Sequence, residues 1–197
     1  MVSLQAWTRL RWLNVHVIGV LGVLTLCAET SSAQEQLAPL EQSRILLSAF
    51  SFDRALLDRD RDGLVIAFLY ANDSSESRAM QLAFEQLGAD GIRNLPVNTI
   101  AIRFESVSAL LESVDTEAIG AVYVPESLAP ALSSILQVTR ARGLTSIGSG
   151  RALVEQGVSM GVFVSETGAK LIVNRRSMQI ENIDLPAQVL AISEVIR

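Results

Sequence analysis

Leu64-Val65-Ile66-Ala67-Phe68-Leu69-Tyr70 is the stretch on which the fold turns. A strand with one wet face alternates apolar and polar residues. Seven apolar residues in a row instead read as a short strand buried on both faces, as in a parallel sheet covered by helices. The residues immediately downstream agree with that reading. Asp73 and Glu76 have capping-box spacing, and Ala79, Met80, Ala83, Phe84 and Leu87 then recur at helical intervals up to Gly88.

The strand-then-helix unit repeats downstream. Residues 99–105 (TIAIRFE), 119–124 (IGAVYV) and 144–147 read as strands, and residues 106–114 and 151–156 as short helices. After the strand at 119–124, Ser127 is expected to cap a helix with Pro130 in its first turn, which stops at Gly143. Upstream, residues 40–57 form an amphipathic helix with Ile45, Leu46, Ala49, Phe50 and Leu56 near one face. Alternation of this kind implies right-handed crossovers. The ending differs: residues 158–165 and 169–174 are joined by a tight turn at Gly168, and Asp184 is expected to cap a closing helix bearing Leu185, Val189, Ile192 and Ile196. The expected fold class is α/β, a mostly parallel sheet with helices on both faces, ending in an antiparallel β-hairpin and a C-terminal helix.

The first 33 residues read differently. Arg9 and Arg11 precede an apolar run over residues 17–28, and Ser31-Ser32-Ala33 offers small residues for cleavage after Ala33. Twelve helical residues span about 18 Å, short of the roughly 30 Å of a bilayer core, so a signal peptide is favoured over a retained anchor. Leu26 before Cys27 is too large for a lipoprotein site. The expected organisation is a leader over residues 1–33 and one domain over residues 34–197, exported to the periplasm.

The 197-residue chain is 49% hydrophobic, 19% charged and 5% aromatic, which suits one domain with a real core. Without the leader, sixteen basic and twenty-one acidic residues become fourteen and twenty, because Arg9, Arg11 and Glu29 leave. That charge is the wrong sign for a nucleic-acid partner. His16, Cys27, Trp7 and Trp12 leave too, so residues 34–197 contain no histidine, cysteine or tryptophan. Metal sites built on imidazole or thiolate, Ser-His-Asp and Cys-His machinery, and disulfides are thereby excluded. The expectation is a protein that is not an enzyme and carries neither cofactor nor metal; a carboxylate-dependent hydrolase is the weakest alternative.

Two motifs invite a ligand. Asp58-Arg59-Asp60-Arg61-Asp62-Gly63 opens like a calcium loop, but Leu69 stands where a bidentate glutamate belongs, and a solvated turn is expected. Gly148-Ser149-Gly150 with Arg151 follows a strand and precedes a helix, where backbone N–H groups can cradle a small anion. Ligands of open α/β sheets settle beyond the carboxyl ends of the strands. The candidate binding residues are therefore Asn72, Asp73, Ser74, Glu105, Ser106, Pro125, Glu126, Gly148, Ser149, Gly150 and Arg151. Arg175-Arg176 is expected to be a surface pair.

The segment from Gly157 through Phe163-Val164, Leu171-Ile172-Val173-Asn174 and Asp184-Leu185 to Gln188-Val189-Leu190 resembles the YfiR/HmsC-like family of exported proteins. Residues 47–56, 65–70, 119–125 and 145–150 resemble one branch of it. The resemblance implies a non-enzymatic periplasmic regulator that binds the periplasmic domain of a membrane signalling protein, a diguanylate cyclase or sensor kinase, within cyclic-di-GMP signalling. Relatives carry redox-sensitive disulfides; the lack of cysteine after residue 33 leaves no such switch here. Such a regulator is the leading expectation, with a homodimer left open. The alternative is a periplasmic small-molecule binder, because residues 141–149 (ARGLTSIGS) resemble the second lobe of ABC-type solute-binding receptors.

Overall fold

A computed structural model describes residues 37–60 and 62–197; the leader, its cleavage point after Ala33, and Arg61 lie outside the described residues. In chain order the elements are α1 (Pro39–Phe52), α2 (Leu56–Arg59), β1 (Leu64–Tyr70), α3 (Ser75–Gly88), β2 (Val97–Arg103), α4 (Val107–Glu117) and β3 (Ala121–Val124). A 3-10 segment (Glu126–Ala131) comes next, then α5 (Leu132–Arg142), β4 (Thr145–Gly148), α6 (Arg151–Glu155), β5 (Met160–Ser165), β6 (Gly168–Asn174), α7 (Arg175–Ile180), α8 (Ala187–Ile192) and β7 (Glu194–Ile196).

The chain is an α/β fold. Its seven strands form one sheet in the order β2-β1-β3-β4-β5-β6-β7, parallel except at β5–β6. The apolar run that decides the fold behaves as its composition requires, since alternate residues enter opposite cores. Ile66 and Phe68 pack with α1 and α3 against Tyr123, Met160 and Val173. Ala67 and Leu69 pack on the other face with Leu110 of α4, Ile135 of α5 and Val154 of α6. Gly143 ends α5 with φ 64°, a left-handed conformation that glycine adopts without steric cost, as expected from its position.

Local patterns were overridden in several places. The helix expected over residues 40–57 breaks at Asp53, because its buried carboxylate accepts from Ala55 N at 3.1 Å and Asp184 N at 2.9 Å and pairs with Arg59 at 2.7 Å. Asp73 and Glu76 do not form a capping box: Asp73 accepts from Ser75 N at 2.8 Å, while Glu76 turns to Tyr123. Ser127 caps nothing; Pro130 lies inside the 3-10 segment, whose extended entry residue is Pro125. Arg175 and Arg176 are exposed as expected, but they open α7, which is capped by Asn174 accepting from Ser177 N at 3.1 Å.

The closing helix is shorter than its pattern. Asp184 pairs with Arg54 at 2.7 Å instead of capping, α8 ends at Ile192, and Ile196 lies on β7, paired with Asn174 of β6. The Asp58–Gly63 turn is not solvated at its centre. Arg59 reaches Asp53, Thr145 Oγ1 at 3.2 Å and the Asn182 carbonyl, and Asp60 packs where Gly120 has no side chain. Among the described residues, no helix is long and apolar enough to cross a membrane.

Candidate functional site

The chain leaves β1 for β2 on one side and later returns to β3 on the other, so the strand order switches between β1 and β3. At such a point the two crossover connections diverge on opposite faces, and a crevice opens beyond the carboxyl ends. Here it is lined by Ser75 and Glu76 of α3, Tyr123 of β3 and Ser149 after β4, with Ala79 and Met80 as its apolar wall, and encloses about 460 Å³. A neighbouring hollow of about 280 Å³ lies between Glu126, Ser149-Gly150, Leu153 and Phe163. Both are bounded by Leu37 and Gln42, and Gln42 holds the Leu37 carbonyl at 3.0 Å, so the start of α1 lies against both.

Tyr123 organises the crevice. Its ring is buried against Phe68, 5.4 Å between centroids, and its hydroxyl donates to Glu76 Oε1 at 3.1 Å. Burial, reinforced by the neighbouring Glu76 carboxylate, pushes the phenol well above its ordinary range, so it is a hydrogen-bond donor and not a base.

The glycines at the end of β4 and in β5 serve packing more than phosphate cradling. Gly148 and Gly161 are cross-strand partners; a Cβ on the first would lie 2.9 Å from Leu153 Cβ, and on the second 2.8 Å from Val154 Cγ2. Their bareness lets α6 settle on the sheet. Gly150 is different, since a Cβ there meets nothing within 4 Å and its φ of −175° suits any residue.

The sequence-expected residues separate into groups. Glu126, Ser149 and Gly150 line the hollows directly. Gly148 and Pro125 are buried behind them. Asn72 faces Arg103 at 3.4 Å, Asp73 and Ser74 form the turn into α3, and Ser106 caps α4 through Ala109 N at 3.1 Å beside exposed Glu105; none of these five lines either hollow. Arg151 is committed elsewhere, to Glu194 at 2.6 Å and Glu155 at 3.4 Å, with its guanidinium 4.3 Å above the Phe163 ring. An anion at Gly148–Gly150 would therefore have to draw Arg151 away from two carboxylates. Gln42, Glu76, Met80, Tyr123 and Phe163 were not anticipated as site residues. The available signal was a tyrosine ending a buried strand, whose hydroxyl must find a partner.

At the opposite edge Glu181, at the end of α7, is fully buried and accepts from Ser146 N (2.8 Å), Ser146 Oγ (2.9 Å), Thr139 Oγ1 (2.9 Å) and Ser159 Oγ (2.5 Å). Burial raises its carboxyl above the usual range, against the lowering effect of these donors. The cluster ties the end of α7 to β4, to α5 and to the residue that precedes β5.

No family model and no curated protein matches the sequence. Solved structures do. The ABC domain in complex with L-Trp from Streptococcus pneumoniae has a TM-score of 0.58 at 14% identity, over 81% of this chain and 60% of its own. An adhesive substrate-binding protein of Clostridium difficile, ligand-free and open, gives 0.52 at 11% over 73% and 58%. A conserved domain protein of Vibrio cholerae gives 0.60 at 12% over 82% and 61%. The chain thus spans about three fifths of the length of these proteins. At such identities the likeness is one of fold alone.

Proposed function

We propose that this chain is a small-molecule-binding protein of the solute-receptor kind, binding without turnover, with its ligand seated at the carboxyl edge in the crevice between β1 and β3. The observation that carries this reading is the position of the cleft. It lies at the topological switch point, is walled by Met80, Leu153 and Phe163, and is furnished with a few polar groups, Glu76, Tyr123, Ser149 and Glu126. The crevice, at about 460 Å³, falls at the smaller end of the roughly 300–1,000 Å³ usual for ligand pockets, and the neighbouring hollow, at about 280 Å³, just below it. The shared architecture of substrate-binding domains supports the same reading. A metabolite panel tests it by thermal shift: a ligand at one hundred times its Kd adds about 2.7 kcal/mol, roughly 5–10 °C in a domain this size. Ser149→Leu, at a residue that lines both hollows, should abolish that shift; a response unchanged in this variant would remove the cleft from consideration.

A second reading, an exported regulator docking on the periplasmic domain of a membrane signalling protein, is favoured by a separate feature. Ile45, Ala49, Phe52, Leu171, Val189 and Ile192 line an apolar groove between α1 and α8, and Phe52 and Ile192 remain 52% and 77% exposed. Clustered apolar exposure of this kind marks contact surfaces. Capture of a membrane protein by the wild type but not by Ile192→Glu would support this reading; equal capture by both would sink it.

A further inference from the structure

The charges around the cleft restrict what it takes. We propose that it selects a small organic cation, an amine on an apolar body, over the matching anion; this rests on the ligand-binding reading and specifies its chemistry. Among the described residues, every charged side chain lining the two hollows is a carboxylate, Glu76 in one and Glu126 in the other. Glu76 is oriented by the Tyr123 hydroxyl on Oε1, which leaves Oε2 for a donor from the ligand. Glu126 makes no ion pair among the described residues.

The features that would favour an anion are already compensated. Arg151, the cation that opens α6, is held by Glu194 and Glu155 above Phe163. The amino end of α3 carries its own negative groups, Asp73 bonded to Ser75 N at 2.8 Å and Glu76 in the first turn. An incoming carboxylate would meet a like charge in either hollow and, among the described residues lining them, no counter-ion, whereas an ammonium would meet a carboxylate partner in either. The apolar body has its place beside Ala79 and Met80 or against Leu153, Val162 and Phe163. An amino acid brings a carboxylate along with its ammonium and is disfavoured against the corresponding amine.

Calorimetry on the full chain with matched probes decides the matter: tryptamine with indole-3-propionate, phenethylamine with 3-phenylpropionate, and hexylamine with hexanoate, with L-tryptophan alongside. The expected result is that at least one amine binds about tenfold or more tightly than its acid. Glu76→Gln, in the crevice itself, should lose most of that preference and Glu126→Gln less, and Ser149→Leu, at a residue that lines both hollows, should abolish binding. Glutamine keeps an acceptor for Tyr123, and Glu126 is exposed, so neither variant threatens the fold. An acid binding as tightly as its amine, with binding still lost in Ser149→Leu, overturns the charge selection and leaves the ligand-binding reading intact. Silence from all three pairs also overturns the selection, and silence from the wider metabolite panel overturns the ligand-binding reading with it.

Discussion

At the amino edge of the sheet, Glu181 has four hydrogen-bond donors on its two oxygens; at the carboxyl edge, Glu76 has one and Glu126 none among the described residues. Both edges use glutamate and serine on a similar framework of strand ends and short helices. The difference lies in how fully the polar capacity is taken up. A buried carboxylate surrounded by hydroxyls behaves as part of the core, since removing it leaves buried donors without a partner. Half-used carboxylates beside a hollow are free to meet a ligand. Function in this molecule is therefore read from unused hydrogen-bonding capacity and not from residue type.

Substitution separates the two edges, and the largest effect belongs to the saturated one. Glu181→Ala leaves Ser146 N and the Ser159 hydroxyl unpartnered, takes one acceptor from the Thr139 and Ser146 hydroxyls, and should cost about 3–5 kcal/mol in urea denaturation. A cost below about 1 kcal/mol would mean that the cluster is not the pin described. The same group should show in the pH dependence. Because burial raises Glu181 in the folded chain, the native state keeps a proton that the unfolded state sheds. Its contribution is therefore full below the unfolded value and declines as pH rises through the folded one. Glu181→Gln should lack that decline; parallel slopes for wild type and variant above the ordinary glutamate value of about 4.3 would contradict it.

Next in size is Gly161→Ala, where a methyl group 2.8 Å from Val154 Cγ2 and 3.2 Å from the Gly148 carbonyl forces α6 outward, for about 1–3 kcal/mol by thermal melting. Tyr123→Phe removes one donor from Glu76 and should cost about 1 kcal/mol, with a larger proportional effect on ligand affinity than on stability. Gly150→Ala should be the mildest, a gain of up to about 1 kcal/mol from a stiffer unfolded chain, because nothing obstructs the new methyl. A marked loss there would show that the rim of the cleft is more crowded than the open space at Gly150.

The strands and most of the helices were legible because burial on two faces writes itself into composition, as in Leu64–Tyr70. The closing strand was not, since Leu185, Val189, Ile192 and Ile196 keep a helical interval to the last turn, and only pairing with β6 draws Glu194–Ile196 into extended form. Ile192 is left exposed as a result. Glu126, Ser149 and Gly150 were legible as site residues because a rule about strand ends points at them. Glu76 and Tyr123 were not, for their bond spans 47 positions and no local pattern joins them. Glu181 looked like any surface glutamate; the clue was the company of hydroxyls, Thr139, Ser146 and Ser159, at otherwise apolar core positions.

One pairing in the sheet stands apart in time as well as in direction. β5 and β6 meet across a two-residue connection, Ser165 opposite Gly168, whereas each parallel neighbour must first close a loop through an intervening helix. Closing long loops before any contact stabilises them slows folding, while hairpins form in roughly 1–10 μs. The chain should therefore register Met160–Asn174 early and assemble the parallel half afterwards, with the crevice between β1 and β3 among the last features to take shape.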